Sequence, residues 1–287
     1  MANLGLPTRG GRIAVEGLQT PRHATTSGLG FKGLAFYIAD GLEFMWRKQW
    51  RDLHFVDCDF TDLLFFSCSI TNCVFERCIL TETGFWNSRV LDAQFLDCDL
   101  RSAAFGGVSS RRPRPNVFNS VEFLRCDLSD TAHSCELFTS CRFEDCRYGS
   151  PGRCDFHAAR FEDCSFKGEL SEVIFRSRML GEYPGVPPNV LARCDFREAD
   201  ITWTAFFGID LDPAAFADDP DLIFLHHGPE DWRNWLDQGH VEADEGTSWR
   251  IGEEMKRSGT PTVVSRKTLT KHSTEAVDAL ARLGRKE

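Results

Sequence analysis

"FVDCDFTDLLFFSCSITNCVFERCIL", residues 55–80, places a large apolar side chain at Phe55, Phe60, Phe65, Ile70, Phe75 and Leu80. A step of five fits neither the helical period near 3.6 nor the strand period of 2. The phase runs on through Phe85, Val90, Phe95, Leu100 and Phe105, and resumes at Phe118, Phe123, Leu128, His133, Phe138, Phe143 and Tyr148. Further runs are Phe156, Phe161 and Phe166, then Phe175 and Leu180, and finally Phe196, Ile201, Phe206 and Leu211. Two residues before each of these the chain usually carries a small side chain, as at Cys58, Cys68, Cys73, Cys78, Thr83, Ser88, Ala93, Cys98 and Ala103. The unit is small–x–large–x–x, with two positions facing inward and three outward.

This unit resembles the pentapeptide-repeat family. "CDF" at 58–60, 154–156 and 194–196 and "CDL" at 98–100 and 126–128 match the first three positions of its repeat. The resemblance spans residues 53–211 and implies an all-β solenoid, a right-handed quadrilateral β-helix with four pentapeptides per coil and about seven coils. At the ordinary strand spacing of about 4.8 Å, the rod would be on the order of 30 Å long. Residues twenty apart should then stack, as Cys58, Cys78 and Cys98 would. Reading the step from Phe105 to Phe118 as one repeat plus an eight-residue insertion keeps Cys126 and Cys146 in that column. It also gives one column of Phe55, Phe75, Phe95, Phe123, Phe143 and Phe166, as a stacked core favours.

The 287 residues carry a formal net charge of −10, enough chain for one elongated domain with its caps. The sequence has no apolar run near twenty residues and no signal-peptide core, so neither a membrane span nor secretion is expected. Of the 12 cysteines, all but Cys135 fall on the small inward position. Their spacing of five suits neither zinc nor a redox pair. They read as reduced thiols filling space, which places the chain in a cytoplasmic, reducing compartment.

Residues 1–30 read as a flexible N-terminus and 31–52, with Phe31, Phe36, Tyr37, Phe44, Trp46 and Trp50, as an N-terminal cap over the open end of the solenoid. Loop insertions are expected at 106–116, 149–153, 167–172 and 181–193, where Gly and Pro collect. Residues 212–239 read as a mixed C-terminal cap and 240–287 as a polar tail. Within the tail, 273–284 is a short α-helix with Ser273 as its N-cap and Gly284 as its stop. The family resemblance makes that C-terminal region a means of homodimerisation.

The column scheme also sorts the outward positions. On the Phe55 side they read Asp57, Arg77, Asp97, Arg125 and Asp145, an alternating ion-pair ladder. Beside the Cys58 column lies an acidic stripe of Asp59, Asp62, Glu82, Asp99, Asp127 and Asp130, opposed by Arg101 and Arg147. It offers a partner-binding surface, although Asp after a small residue also serves local turns. The following side is apolar outside, at Leu64, Phe66 and Trp86, a strip for a partner protein or for the chain's own cap.

Motifs for chemistry are thin. "GLGFKG" has the glycine spacing of a nucleotide loop without a βαβ unit around it, and His226-His227 lacks further ligands. His133 occupies a large core slot between Phe105 and Phe156, and Glu136 falls on an inward position, which marks 131–137 as an irregular coil. No catalytic, cofactor-binding or metal-binding residues are assigned, and no enzyme is expected. Resemblance to the gyrase-protecting quinolone-resistance type implies a protein partner, DNA gyrase, bound through mimicry of DNA charge and without direct nucleic-acid binding. A generic protein–protein scaffold is the alternative.

Overall fold

The computed structural model describes residues 45–106, 115–133, 136–149, 154–157, 159–176, 189–202, 204–207, 209 and 211–224. It adds strand segments at 8–9, 12–14, 29–32, 35–37 and 263–265. The predicted helix 273–284, the His226-His227 pair and most of the loops at 106–116 and 181–193 lie outside these residues.

Large apolar side chains at every fifth position turn the chain through about a right angle per repeat, and four turns return it one strand spacing along the axis. Phe55, Phe75 and Phe95 accordingly pair in parallel register, and Phe95 pairs with Phe123 across the eight-residue insertion. The Phe55 face is an eight-stranded parallel sheet running from Leu29–Lys32 to Asp195–Asp200. The Trp50 face is a seven-stranded sheet from Gln49–Arg51 to Val190–Ala192. The Phe65 face holds two three-stranded sheets, and the Phe60 face is tied by single bridges, Asp59 to Ile79 to Asp99 to Asp127 to Arg147. The protein is therefore a four-sided parallel β-helix.

The rings stack as the strands do. From Phe55 through Phe75, Phe95, Phe123, Phe143, Phe166 and Phe196 to Phe216, successive centroids lie 5.1, 4.8, 5.2, 5.0, 5.0, 4.7 and 5.0 Å apart. All these rings are buried. Each contributes about 1.5–3 kcal/mol by burial and about 0.5–1.5 kcal/mol more through its ring pairs.

The small slot does more than make room. Cys78 Sγ donates to the Phe55 carbonyl, Cys98 to Phe75, Cys126 to Phe95 and Cys146 to Phe123, at 3.5, 3.2, 3.2 and 3.3 Å. Thr83 and Ser88 hydroxyls serve Phe60 and Phe65 in the same way. Where loops return the chain to the core, the Asn116 amide donates to the carbonyls of Phe85 and Phe105, and Asn189 to that of Phe156. A thiol, hydroxyl or amide thus gives a buried carbonyl a side-chain donor that an alanine would not supply.

Corners fall two residues after each large residue and adopt left-handed backbone, with φ of 53° at Asp57, 62° at Asp62, 52° at Asn72 and 54° at Asp97. Asp and Asn tolerate that region best among residues with a side chain. The acidity of these positions thus has a backbone cause.

Several boundaries differ from the sequence expectation. Trp50 sits in a large slot, buried against Phe55 and Phe65, and Met45–Trp46 pairs with Phe65–Phe66. The coil therefore begins inside the segment read as cap. Segments of the N-terminus read as flexible form strands: Arg12–Ala14 pairs with Ala35–Tyr37, and Leu29–Lys32 with Leu53–Val56. At the other end, Phe216 keeps the five-residue phase, bridges to Phe196 and stacks on it, so the repeat outlasts Leu211. Residues 167–172 are not a loop. Ser165–Glu169 is a strand, and Leu170 takes the next large slot four residues after Phe166, a one-residue deletion that Gly168 absorbs at φ 89°. Past the repeat, Leu222–Phe224 pairs antiparallel with Val263–Ser265, and buried Val263 brings one piece of the polar tail onto the core. No helix among the described residues is long and apolar enough to cross a membrane.

Candidate functional site

The six acids of the predicted stripe divide into two kinds. Asp59, Asp99 and Asp127 follow a small-slot cysteine and are half-buried. Their carboxylates accept the backbone N–H two residues on, from Thr61, Arg101 and Ser129, at 2.9, 3.2 and 3.0 Å. Such Asx turns fix the start of each corner. Asp62, Glu82 and Asp130 are the corner residues themselves, exposed and left-handed at φ 62°, 59° and 58°.

The first kind is partly neutralised. Arg101 clamps Asp99 through Nε and a terminal nitrogen at 2.8 and 2.6 Å, and this guanidinium holds the Asp99 carboxyl below the usual carboxylate range. Arg101 also approaches Asp127 at 4.0 Å, and Arg147 reaches the same carboxylate at 3.7 Å. Between Asp59 and Asp99 stands Ile79, 44% exposed, an apolar interruption that the acidic reading of the sequence passed over. The negative edge that remains open is the corner row of Asp62, Glu82 and Asp130, with Ser102 between the last two and donating to Asp130 at 3.5 Å.

Around that corner lies the predicted apolar strip. Phe66 and Trp86 are aligned in register with ring centroids 6.5 Å apart at 63°, and Trp46 precedes them in the same backbone column. Leu64 packs beneath Gly84, where an added Cβ would come within 2.5 Å of its Cδ1. Leu64, Phe66 and Trp86 are all half-buried. The fold therefore sets the acidic corner and the aromatic strip side by side along one edge of the rod.

The neighbouring edge, where the Phe55 and Phe60 faces meet, differs in character. Arg77 pairs with Asp57 at 2.8 Å and Arg125 with Asp97 at 2.7 Å, so the predicted ladder exists and leaves little net field. Among the described residues no group of three His, Cys, Asp or Glu side chains converges as a metal site would require. His133 and Glu136 meet inside the core at 2.6 Å, with side chains 3% and 0% exposed. His133 lies parallel to Phe105 at 5.3 Å and tilted by 50° over Phe156 at 4.3 Å.

No family model matches the chain, and no curated protein matches it. Among solved structures, a trypsin-treated QnrB1, described as a plasmid-mediated fluoroquinolone resistance protein, is 16% identical over 66% of this chain and 84% of its own, with a TM-score of 0.32. Full-length QnrB1 is 15% identical over 65% and 92%, with a TM-score of 0.24. The pentapeptide repeat protein Rfr23 from the cyanobacterium Cyanothece 51142 is 8% identical over 52% and 89%, with a TM-score of 0.27. These values carry no argument, and the fold is read from this chain's own register. The five-residue period, the twenty-residue parallel pairing and the four stacked core columns give this chain a pentapeptide-repeat fold.

Proposed function

We propose that this protein is a non-enzymatic rod that binds a protein partner along the edge where the Phe60 and Phe65 faces meet. The observation that supports this most is the open carboxylate row of Asp62, Glu82 and Asp130 beside the Phe66–Trp86 pair. Charge there would steer a basic surface, and the aromatic strip would supply the desolvated contact that holds it. Of possible partners, DNA gyrase is the one implied by resemblance to the gyrase-protecting members of the family. A rod with a negative edge fits the groove that accepts duplex DNA. Eleven described cysteines, all free and buried, suit the reducing cytoplasm in which gyrase works.

A scaffold for another protein is the second reading, favoured by the arginines that cover Asp99 and Asp127. The two separate in a supercoiling assay with and without ciprofloxacin. Gyrase binding predicts that the protein inhibits supercoiling or rescues it from the drug, and that reversing charge at Glu82 and Asp130 abolishes the effect. No change in supercoiling at tens of micromolar would remove gyrase and leave the scaffold.

A further inference from the structure

We propose that the rod is two rigid blocks joined by a seam, and that it opens like a book at the layer between Tyr148 and Leu170. One block ends at Gly149 and the other begins at Cys154. Following the chain, the layer that divides them passes between His133 and Phe156, Phe138 and Phe161, Phe143 and Phe166, and Tyr148 and Leu170.

Two of these four sides are continuous. Phe138 pairs with Phe161 and Phe143 with Phe166 in unbroken parallel strands, with rings stacked at 4.9 and 5.0 Å and tilted by 8° and 5°. They form a spine. The other two sides are held by less, with the single bridge from Ala132 to Asp155 crossing on the Phe65 face. On the Phe60 face the bridge ladder has its last rung at Asp127 and Arg147. The one-residue deletion before Leu170 then sets Glu169, Ser171 and Glu172 across a cavity of about 490 Å³ from Asp145, Arg147 and Gly149. On the Phe65 face the ring over Phe156 is His133, tilted by 50° where Phe156 and Phe175 below are tilted by only 19°.

Across the seam there, a polar cluster accompanies the tilted contact of His133 with Phe156. Thr131 Oγ1 and His133 Nε2 approach Cys154 Sγ at 3.4 and 3.6 Å, while the short His133–Glu136 bond stays within the first block. Bonds to sulfur of this length hold less than a stacked aromatic pair. Free energy of opening should therefore be lowest on this side, with the spine as the hinge. A rod that flexes at one defined layer can fit a curved partner without losing its coils.

Amide hydrogen exchange tests the idea with controls inside the molecule. Among the amides that donate across the seam are Ser140, to Glu162 beside the spine, and Asp145, to Lys167 beside the cavity. Their equivalents one coil earlier, Ser120 to Thr139 and Arg125 to Glu144, cross an ordinary layer. The seam predicts that Asp145 exchanges at least about tenfold faster than Ser140, whereas Arg125 and Ser120 exchange within about threefold of each other. H133F/E136C, which puts a ring and a thiol where the repeat elsewhere carries them, should bring the first ratio down several-fold. Gly149→Ala, whose Cβ would press on Glu172 Cβ at 2.9 Å and the Ser171 carbonyl at 3.1 Å, should raise it. Equal exchange at Asp145 and Ser140, or a ratio that neither variant moves, would overturn the proposal.

Discussion

Cys78 Sγ lies 3.5 Å from the carbonyl oxygen of Phe55, reaching back across one coil from the slot beside Leu80. The same contact recurs from Cys98, Cys126 and Cys146, which explains why this chain fills its small slots so often with cysteine. The thiol has nearly the volume the slot requires and adds a donor to a buried carbonyl. Cys98→Ala should therefore cost about 1–2 kcal/mol through the lost volume and the lost contact to the Phe75 carbonyl. Cys98→Ser, which keeps a donor, should cost less. Midpoints of urea unfolding for the two variants check the order.

Burial pushes the Cys68 and Cys73 thiols from 9.0 up to about 11. The unfolded chain therefore releases these protons at lower pH than the folded one. In the interval from about pH 9 to 11 the folded state binds more protons, so stability falls as pH rises, and it is fully retained below 9. Urea titrations at pH 8, 9.5 and 10.5 should give steadily falling midpoints, and C73A, lacking one such thiol, a shallower fall. In the native protein at pH 8, mass mapping after iodoacetamide treatment should find the eleven described thiols unmodified.

A solenoid gains its stability from neighbouring coils, so position along the rod sets the cost of a lost ring. Phe95 stacks on Phe75 above and Phe123 below, whereas Phe216 stacks on Phe196 and, among the described residues, ends the column. Phe95→Ala is expected to cost about 3–5 kcal/mol and Phe216→Ala clearly less. Thermal unfolding of the two variants decides it.

The exposed ladders should matter little. Arg125 holds the Asp97 carboxyl below its usual range, but both side chains are about half exposed, at 52% and 39%. Arg125→Gln should leave the unfolding midpoint near that of the parent protein in physiological salt, since exposed pairs are screened. A large loss would mean that the corner itself, held at φ 51°, depends on the guanidinium.

The five-residue phase was legible because one large residue per side is a demand of the square coil that local chemistry cannot hide. It exposed the Phe55 column, the Asp57–Arg77 ladder and the inward placement of Glu136. What escaped had weaker signals. Leu170 follows Phe166 by four residues, and a one-residue deletion looks like lost phase until Gly168 is seen to take the corner. Trp50 and Phe216 kept the phase but stood beside segments whose composition suggested caps. The stripe was harder still. Left-handed corners and Asx turns both select Asp for backbone reasons, so its presence alone could not distinguish a binding surface from a turn. Only the pairing of Asp99 with Arg101, against the openness of Asp62, Glu82 and Asp130, divides the two.

Every surface and column described here depends on stacking across the eight-residue insertion. Nuclear Overhauser contacts between aromatic protons of Phe95 and Phe123, 28 residues apart, measure it most directly. A four-sided coil in this register predicts strong contacts for that pair, as for Phe75 with Phe95. Phe95 in contact instead with Phe118, and not with Phe123, would place the insertion elsewhere and contradict the fold and the edge proposed on it.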